Sequence, residues 1–416
     1  MKFILTSVGT RGDMEPFLAI GEILRARNHE VLCLMPEQFR DLALDTGLRF
    51  ESLGPDFIEM LDSPAGQIAM GGGSFGWKKL KAYLKLVKMQ NKINAVMLKI
   101  QKEVVEREQP DKIIHNGKVI YPVIWSHSNP GQTTLISPVP YLHYVKDHAH
   151  VAFNKDFGPM INKWTYKLAN FGLVKTVMGA VKKLDVPQKI RQKDIQQALF
   201  GNKAIYTISP TLFQRPDYWP PHWTVKGYHE RSKTTHWKPD QALESFLKDH
   251  NKVILVTFGS MINSDPKGKS EIVLDVLMRL RVPAIINTAA GGLTALSEYD
   301  HDLLHFVDQI PYDYIFPKLY AVVHHGGSGT THTGLKYGCA TLIIPHIVDQ
   351  YVWNKIIAKK ELGPLGIDIS KINSDNLYDR ISDLVNNKKY KNNALKISEK
   401  LQNEKLEEAL YEEIMM

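Results

Sequence analysis

The sequence predicts an α/β protein built from two doubly wound parallel sheets in tandem. Short β-branched runs alternate with segments of helical periodicity through the first fifty residues, and the alternation restarts near residue 253. A stretch rich in proline and tryptophan separates the two series. The length of 416 residues also favours two domains over one core.

Phe3 to Ser7 reads as a strand. Pro16 to Arg27 is helical, with Phe17, Leu18, Ile20, Ile23 and Leu24 on one face and proline in the first turn. Val31 to Met35 is a second strand, and Glu37 to Thr46 a second helix ended by Gly47. A helical stretch over Ile161 to Leu184 interrupts further strands at Lys112–His115, Gln132–Ile136, Ala204–Ile208 and Thr224–Gly227. Residues 215 to 240 hold Pro216, Pro220, Pro221 and Pro239 with Trp219, Trp223 and Trp237, a rigid connector. The second series runs through strand stretches at Val253–Ser260, Ala284–Asn287, His305–Val307, Ala321–His324 and Thr341–Pro345. It closes with a charged helix over Asn392 to Glu413.

Apolar residues make up 44% and charged residues 23% of the chain, a globular composition. No apolar run nears the roughly 18 residues that span a bilayer, and the N-terminal run is too short for a signal peptide. Cys33 and Cys339, the only two cysteines, read as reduced core residues, so a cytoplasmic location is expected. The net charge is +8, and Lys78, Lys79, Lys81, Lys85, Lys88, Lys92, Lys99 and Lys102 fall in one amphipathic segment. That segment reads either as a solvated helix face or as a peripheral contact with anionic membrane at the inner face of the plasma membrane. Zinc spacing, RNA-binding aromatic motifs and a recognition helix are all lacking, which argues against nucleic acid.

The most informative stretch is Ala321-Val-Val-His-His-Gly-Gly-Ser-Gly-Thr-Thr331. A strand runs into a glycine turn and then a helix, whose free N–H groups form an anion site. His324 or His325 adds a donor. Gly326, Gly327 and Gly329 let a ligand approach the backbone, and Ser328 suits the N-cap. Asp349 and Gln350 follow the next strand, where ligands gather in parallel sheets and where a carboxylate and an amide suit sugar hydroxyls. The first turn, Gly9-Thr-Arg-Gly-Asp-Met-Glu-Pro16, lacks the full dinucleotide fingerprint. It offers Asp13, either as a general base or as a helix cap.

These motifs, with Phe258-Gly-Ser-Met261, Ile310 to Pro317 and Pro345 to Gln350, resemble glycosyltransferase family 1 over nearly the whole chain. Within it the likeness is to sterol, rhamnolipid-type and antibiotic enzymes. The resemblance implies the GT-B fold: two facing Rossmann-like doubly wound domains with a C-terminal helix crossing back. Residues 1–225 would bind the acceptor, 226–240 would link, 241–395 would bind the nucleotide sugar, and 396–416 would form the crossing helix. Carried over, His325 and the amides of Gly327, Ser328, Gly329 and Thr330 hold the donor diphosphate, with Ser260 and Gly12 as further contacts and Ile310 at the base. Asp349 and Gln350 hold the sugar, and Asp13 stands where many relatives carry a histidine base.

The implied reaction is inverting transfer of a hexose, expected to be glucose, from a UDP- or dTDP-sugar to a hydroxyl of a lipophilic acceptor such as a sterol, other lipid or polyketide. No cofactor and no metal are expected. Asp300-His-Asp302 matches a metal-binding string but sits in a polar loop. His143, Phe153 and Trp164 are the acceptor candidates, and the apolar segment Phe153 to Val186 suits a pocket, a membrane-facing lip or plain core packing. The rival readings are a GT-B-type sugar-nucleotide epimerase and a non-catalytic sugar-nucleotide-binding subunit.

Overall fold

The computed structural model describes residues 1–70, 77–153, 156–184, 189–232 and 237–416. Two units emerge from the chain path. The first comprises Met1–Ser63, Tyr83–Lys233 and Lys405–Met416, and the second Pro64–Ala82 and Thr234–Glu404.

The first unit holds a seven-stranded sheet of β1 (Lys2–Thr6), β2 (Glu30–Met35), β3 (Arg49–Ser52), β4 (Lys112–His115), β5 (Thr133–Ser137), β6 (Lys203–Tyr206) and β7 (Trp223–Val225). Its order is β3-β2-β1-β4-β5-β6-β7, with every pair parallel. Ile4 and Leu32 face one helical layer with Met97, Leu98, Val174 and Val177. Phe3, Leu5, Val31 and Cys33 face the other with Phe17, Leu18 and Leu24. This period-two split between two covered faces is why the strands read as continuous apolar runs.

The second unit holds β8 (Ile254–Thr257), β9 (Ala284–Asn287), β10 (Leu304–Val307), β11 (Ala321–His324) and β12 (Ala340–Ile343), in the order β10-β9-β8-β11-β12 and again parallel. Ile254, Val256 and Val323 pack against the helices Pro266–Leu280 and Ser374–Asn386. Leu255, Ile285 and Val322 pack against Leu243, Phe246 and Phe316. Cys33 and Cys339 are free and buried, and burial pushes both thiols up to about 12.

Several expectations need correcting. The first helix starts at Arg11, so Pro16 lies inside it and Asp13 sits in its opening turn. Glu37 to Thr46 forms a single 3-10 turn, Glu37–Phe39, followed by a short helix, Arg40–Leu44. Asn392 to Glu413 is not one helix. Lys388–Gln402 packs on the second unit, where the Ser398 hydroxyl donates to the Lys336 carbonyl at 2.6 Å. Glu407–Met415 then buries Leu410 and Ile414 in the first unit's core. The chain breaks helix between them because each segment buries its apolar face in a different unit. The connector reading over 226–240 includes residues 233–236, and the apolar segment Phe153 to Val186 includes 154–155 and 185–186, which lie outside the described residues. Upstream, Arg215 braces the proline-rich stretch by donating to the carbonyls of Trp219, Pro220 and Trp223 at 2.6 to 2.8 Å.

Candidate functional site

Each sheet reverses its winding at one place, between β1 and β4 in the first unit and between β8 and β11 in the second. Loops leaving the carboxyl ends of two such strands run apart and leave a crevice where ligands bind.

In the first unit, the loops after β1 and β4 are stitched together. Asn116 donates from its amide to the Ser7 hydroxyl at 2.9 Å and to the Val8 carbonyl at 2.8 Å. Asp13 sits above this stitch. One carboxylate oxygen accepts from the Thr10 backbone N–H at 2.9 Å, and Lys118 Nζ donates to both oxygens at 2.8 and 2.9 Å. Asp13 therefore does close the first turn of its helix, and it also carries an ion pair that a simple cap would not. Gly9 makes room for it. With φ at +147° and a would-be Cβ only 2.0 Å from Asp13 Oδ2, no other residue fits there without moving the carboxylate.

In the second unit, the loop after β8 carries Gly259 and the loop after β11 carries His325, Gly326 and Gly327. Thr257 and His324 are direct register partners, so these loops start side by side. The His325 ring lies between two glycines. A Cβ at Gly259 would come 2.7 Å from its Cε1, and one at Gly327 would come 2.5 Å from its Nε2. Gly259 and Gly326 both adopt positive φ, +57° and +98°. Behind them the helix Ser328–Lys336 opens with Gly327 as N-cap, so its first N–H groups point out of the turn.

The imidazoles here are neutral. Burial holds His325 well below the usual histidine range, with the neighbouring His324 and His346 adding to the shift. Burial likewise lowers His324 to about 3 and His346 to about 4. His324 Nδ1 accepts from the Gly326 N–H at 3.1 Å. Among the described residues, Nδ1 of His325 has no hydrogen-bond partner, and neither does Nε2 of His324 or of His346. Buried polar atoms left in this way cost stability, and they are the kind of group a ligand satisfies.

Gln350 is buried, and its Oε1 accepts from the backbone N–H groups of His346 and Ile347 at 2.7 and 3.1 Å. Its amide nitrogen lies 3.4 Å from Met261 Sδ. Asp349 is half-buried beside it in the same opening turn. Ser328, Gly329 and Thr330 form the first turn of the helix after β11, with Thr330 buried. Ser260 is exposed after β8, and Ile310 lies in the core near Ile315 and Phe316. Gly12 is exposed, and a Cβ there would meet nothing.

The acceptor candidates scatter within the first unit. His143 is buried, stacked at 3.8 Å on Trp223, with Nδ1 2.6 Å from the Tyr206 hydroxyl. Phe153 is half-buried at the end of a 3-10 turn, whereas Trp164 stands exposed on the helix Pro159–Val181. Asp300 spends its carboxylate on the backbone N–H groups of Asp302 and Leu303. Among the described residues, no three His, Cys, Asp or Glu side chains gather as a metal site would require. Lys118 and Asn116 escaped the sequence reading, for nothing local marks them. Only the pairing of β1 with β4 brings residue 118 to residue 13.

Two parallel Rossmann-like units with glycine turns at their switch points define a GT-B protein. The comparisons agree. Residues 3–108 match the glycosyltransferase family 28 N-terminal domain, and residues 271–415 match the erythromycin biosynthesis protein CIII-like C-terminal domain. A sterol 3-beta-glucosyltransferase of Arabidopsis thaliana is 27% identical over 411 residues, covering 93% of this chain and 61% of that enzyme. The chain spans 34% of a Saccharomyces cerevisiae sterol 3-beta-glucosyltransferase, at 26% identity. Among solved structures, the glycosyltransferase of kitacinnamycin superposes with a TM-score of 0.69 over 99% of both chains at 16% identity. Spinosyn rhamnosyltransferase complexed with thymidine diphosphate gives 0.67 over all of both chains at 15%. The chain has the GT-B fold, matches glycosyltransferase-type family models over parts of both units, and is similar to sterol and antibiotic enzymes.

Proposed function

We propose that this protein transfers a hexose, with glucose as the first choice, from a nucleoside diphosphate sugar to a hydroxyl of a lipophilic acceptor, with inversion. One observation carries the reading: at the second switch point, a neutral and incompletely bonded His325 lies between two glycines beside a helix N-terminus. That arrangement suits a diphosphate, whose oxygens accept from a ring N–H and from backbone amides. The sterol relatives point to glucose and a lipophilic acceptor, and the thymidine diphosphate in a structural neighbour points to the nucleotide class.

In the proposed step, the acceptor oxygen attacks the anomeric carbon as the bond from that carbon to the diphosphate breaks. The electron pair leaves with the nucleoside diphosphate, whose growing charge meets His325 and the helix N-terminus. The acceptor proton passes to Asp13, at the oxygen that, among the described residues, accepts from the half-exposed Lys118 side chain alone. A single displacement inverts the centre. Asp349 and Gln350 are assigned to the sugar, with Gln350 acting chiefly by fixing the turn that carries Asp349.

The test offers labelled UDP-glucose and dTDP-glucose to the purified protein with a mixed lipid extract and a chelator. Label entering the organic phase with wild type and not with Asp13→Asn supports the reading. Transfer that persists in Asp13→Asn removes the base, and transfer that stops with chelator brings back a metal.

A further inference from the structure

We infer that the helix Pro159–Val181 is a docking face for an anionic lipid bilayer. Its exposed side chains include Met160 (83%), Trp164 (67%) and Leu168 (60%), with Ile161 and Phe171 in line with them, and Phe157 is exposed just before the Gly158 N-cap. At 100° per residue the five helical ones fall within about one third of the helix circumference. The opposite side is the packed one, where Val174, Val177 and Ala180 join the core. A stripe of large apolar side chains left in water is costly unless something covers it.

The surrounding charge says what covers it. From 157 to 184 the sequence holds Lys163, Lys167, Lys175, Lys182 and Lys183, and no Asp or Glu. Lys167 Nζ lies 4.7 Å from the Trp164 ring centroid, and Lys175 Nζ lies 4.4 Å from that of Phe171. Lysines laid along aromatic rings keep their stems on the apolar stripe and lift their ammonium groups toward a headgroup layer. A protein partner would be expected to meet the stripe with charges of both signs, whereas the helix's own charges are all lysines, and Asp156 just before it is spent on the Gly158 N–H and the Asn162 amide. Acidic phospholipid supplies the matching charge, and its acyl region accepts Trp164, Leu168 and Phe171.

A second feature lies at the same helix. A cavity of about 210 Å³ opens between it and the helix Trp77–Glu108, lined by Asn91, Asn94, Lys175, Thr176 and Lys183 and by no carboxylate. It suits the phosphate of a lipid headgroup. Of the two segments the sequence offered to a membrane, this face lies on the apolar one, Phe153 to Val186, and not on the lysine-rich one. On Trp77–Glu108 the exposed Lys85, Lys88 and Lys92 are followed by Glu103, Glu106 and Glu108, and the side chains of Lys78 and Lys79 lie outside the described residues.

This surface stands apart from the transfer chemistry, so its test can fail alone. The full chain is sedimented with phosphatidylcholine vesicles, with and without phosphatidylglycerol, at low and high salt. Wild type should bind the anionic vesicles at least about tenfold better than neutral ones. Salt should weaken that binding without abolishing it, since the apolar part is unscreened. Trp164→Glu with Leu168→Glu should remove binding, and Lys167→Glu with Lys175→Glu should reduce it about tenfold. UDP binding and thermal unfolding, measured on each variant, should match wild type. Equal sedimentation of wild type with both vesicle types overturns the inference, as does unchanged binding of the Trp164/Leu168 variant. A wild-type dimer that this variant makes monomeric would also overturn it and reassign the stripe to self-association.

Discussion

The two switch points solve the same problem with opposite electrostatics. In each, a glycine at positive φ follows the first strand of its sheet and leaves space for one side chain: Gly9 for Asp13, Gly259 for His325. The first side chain is a partly exposed carboxylate held by Lys118, and the second is a buried neutral imidazole beside a helix N-terminus. Under the proposed roles, a carboxylate that exchanges a proton needs solvent and a displaceable partner, and an imidazole that meets a diphosphate needs to be dry and fixed until the ligand arrives. The contrast teaches that one turn geometry can hold either kind of side chain, and that its environment sets the charge.

The largest expected effect tests the carboxylate. Asp13→Asn should lower transfer by about 10²- to 10⁴-fold while nucleotide binding stays at the wild-type level, read by label transfer beside calorimetry. Loss of nucleotide binding in this variant would erase the division of labour between the units. Next, His325→Ala should cut transfer by about 10²-fold or more and weaken UDP binding. A variant that loses rate with unchanged nucleotide affinity would make His325 a scaffold residue only. The glycines sharpen the comparison further. Gly259→Ala should reproduce the His325 defect and Gly9→Ala the Asp13 defect, each with about 1–3 kcal/mol of lost stability in denaturant titration. Crossed phenotypes would break the parallel.

Acid is the fourth lever. His324 at about 3 and His346 at about 4 lie below their unfolded value of about 6.5, so the unfolded chain binds more protons between those limits. Their contribution is complete above pH 6.5 and is lost as pH falls toward 4 for His346 and 3 for His324, about 2 kcal/mol per histidine by pH 5. His115 at about 4 and His143 at about 3 act the same way in the first unit. Melting temperatures should therefore drop between pH 7 and pH 5, and a flat profile would contradict the buried neutral state. The smallest effect belongs to Lys118. An exposed ion pair is worth about 1 kcal/mol or less, so Lys118→Ala should change transfer by no more than about fivefold.

Much of this was legible in the sequence because the central strands advertise themselves. Runs such as Val31 to Met35 and the one opening at Val253 are apolar on both faces and bounded by turns, and strands appear there at Glu30–Met35 and Ile254–Thr257. The strand Arg49–Ser52 was missed because an edge strand keeps charged residues that hide its period. The helices Asp56–Asp62 and Pro64–Met70 are each seven residues long, too short for periodicity to show. The glycine turns and His325 were visible as motifs. The Lys118 partnership of Asp13 was not, because 105 residues separate them and only strand pairing closes the gap. Nor does sequence reveal that Gln350 spends its oxygen on its own helix, since that depends on where the helix starts.

The C-terminal helix Glu407–Met415 carries one last implication. Leu410 and Ile414 share a core with Phe3 and Leu5, and Lys112 Nζ donates to the carbonyls of Ile414 and Met415 at 2.7 and 2.8 Å. During synthesis, the ribosome therefore delivers every strand of the first sheet before the helix that completes its packing. The whole second sheet emerges in between and can mature while the first still exposes the seat of that helix. A nascent chain stalled before residue 405 would leave this seat open to chaperones and proteases, so translation order, as well as sequence, shapes how this protein reaches its native state.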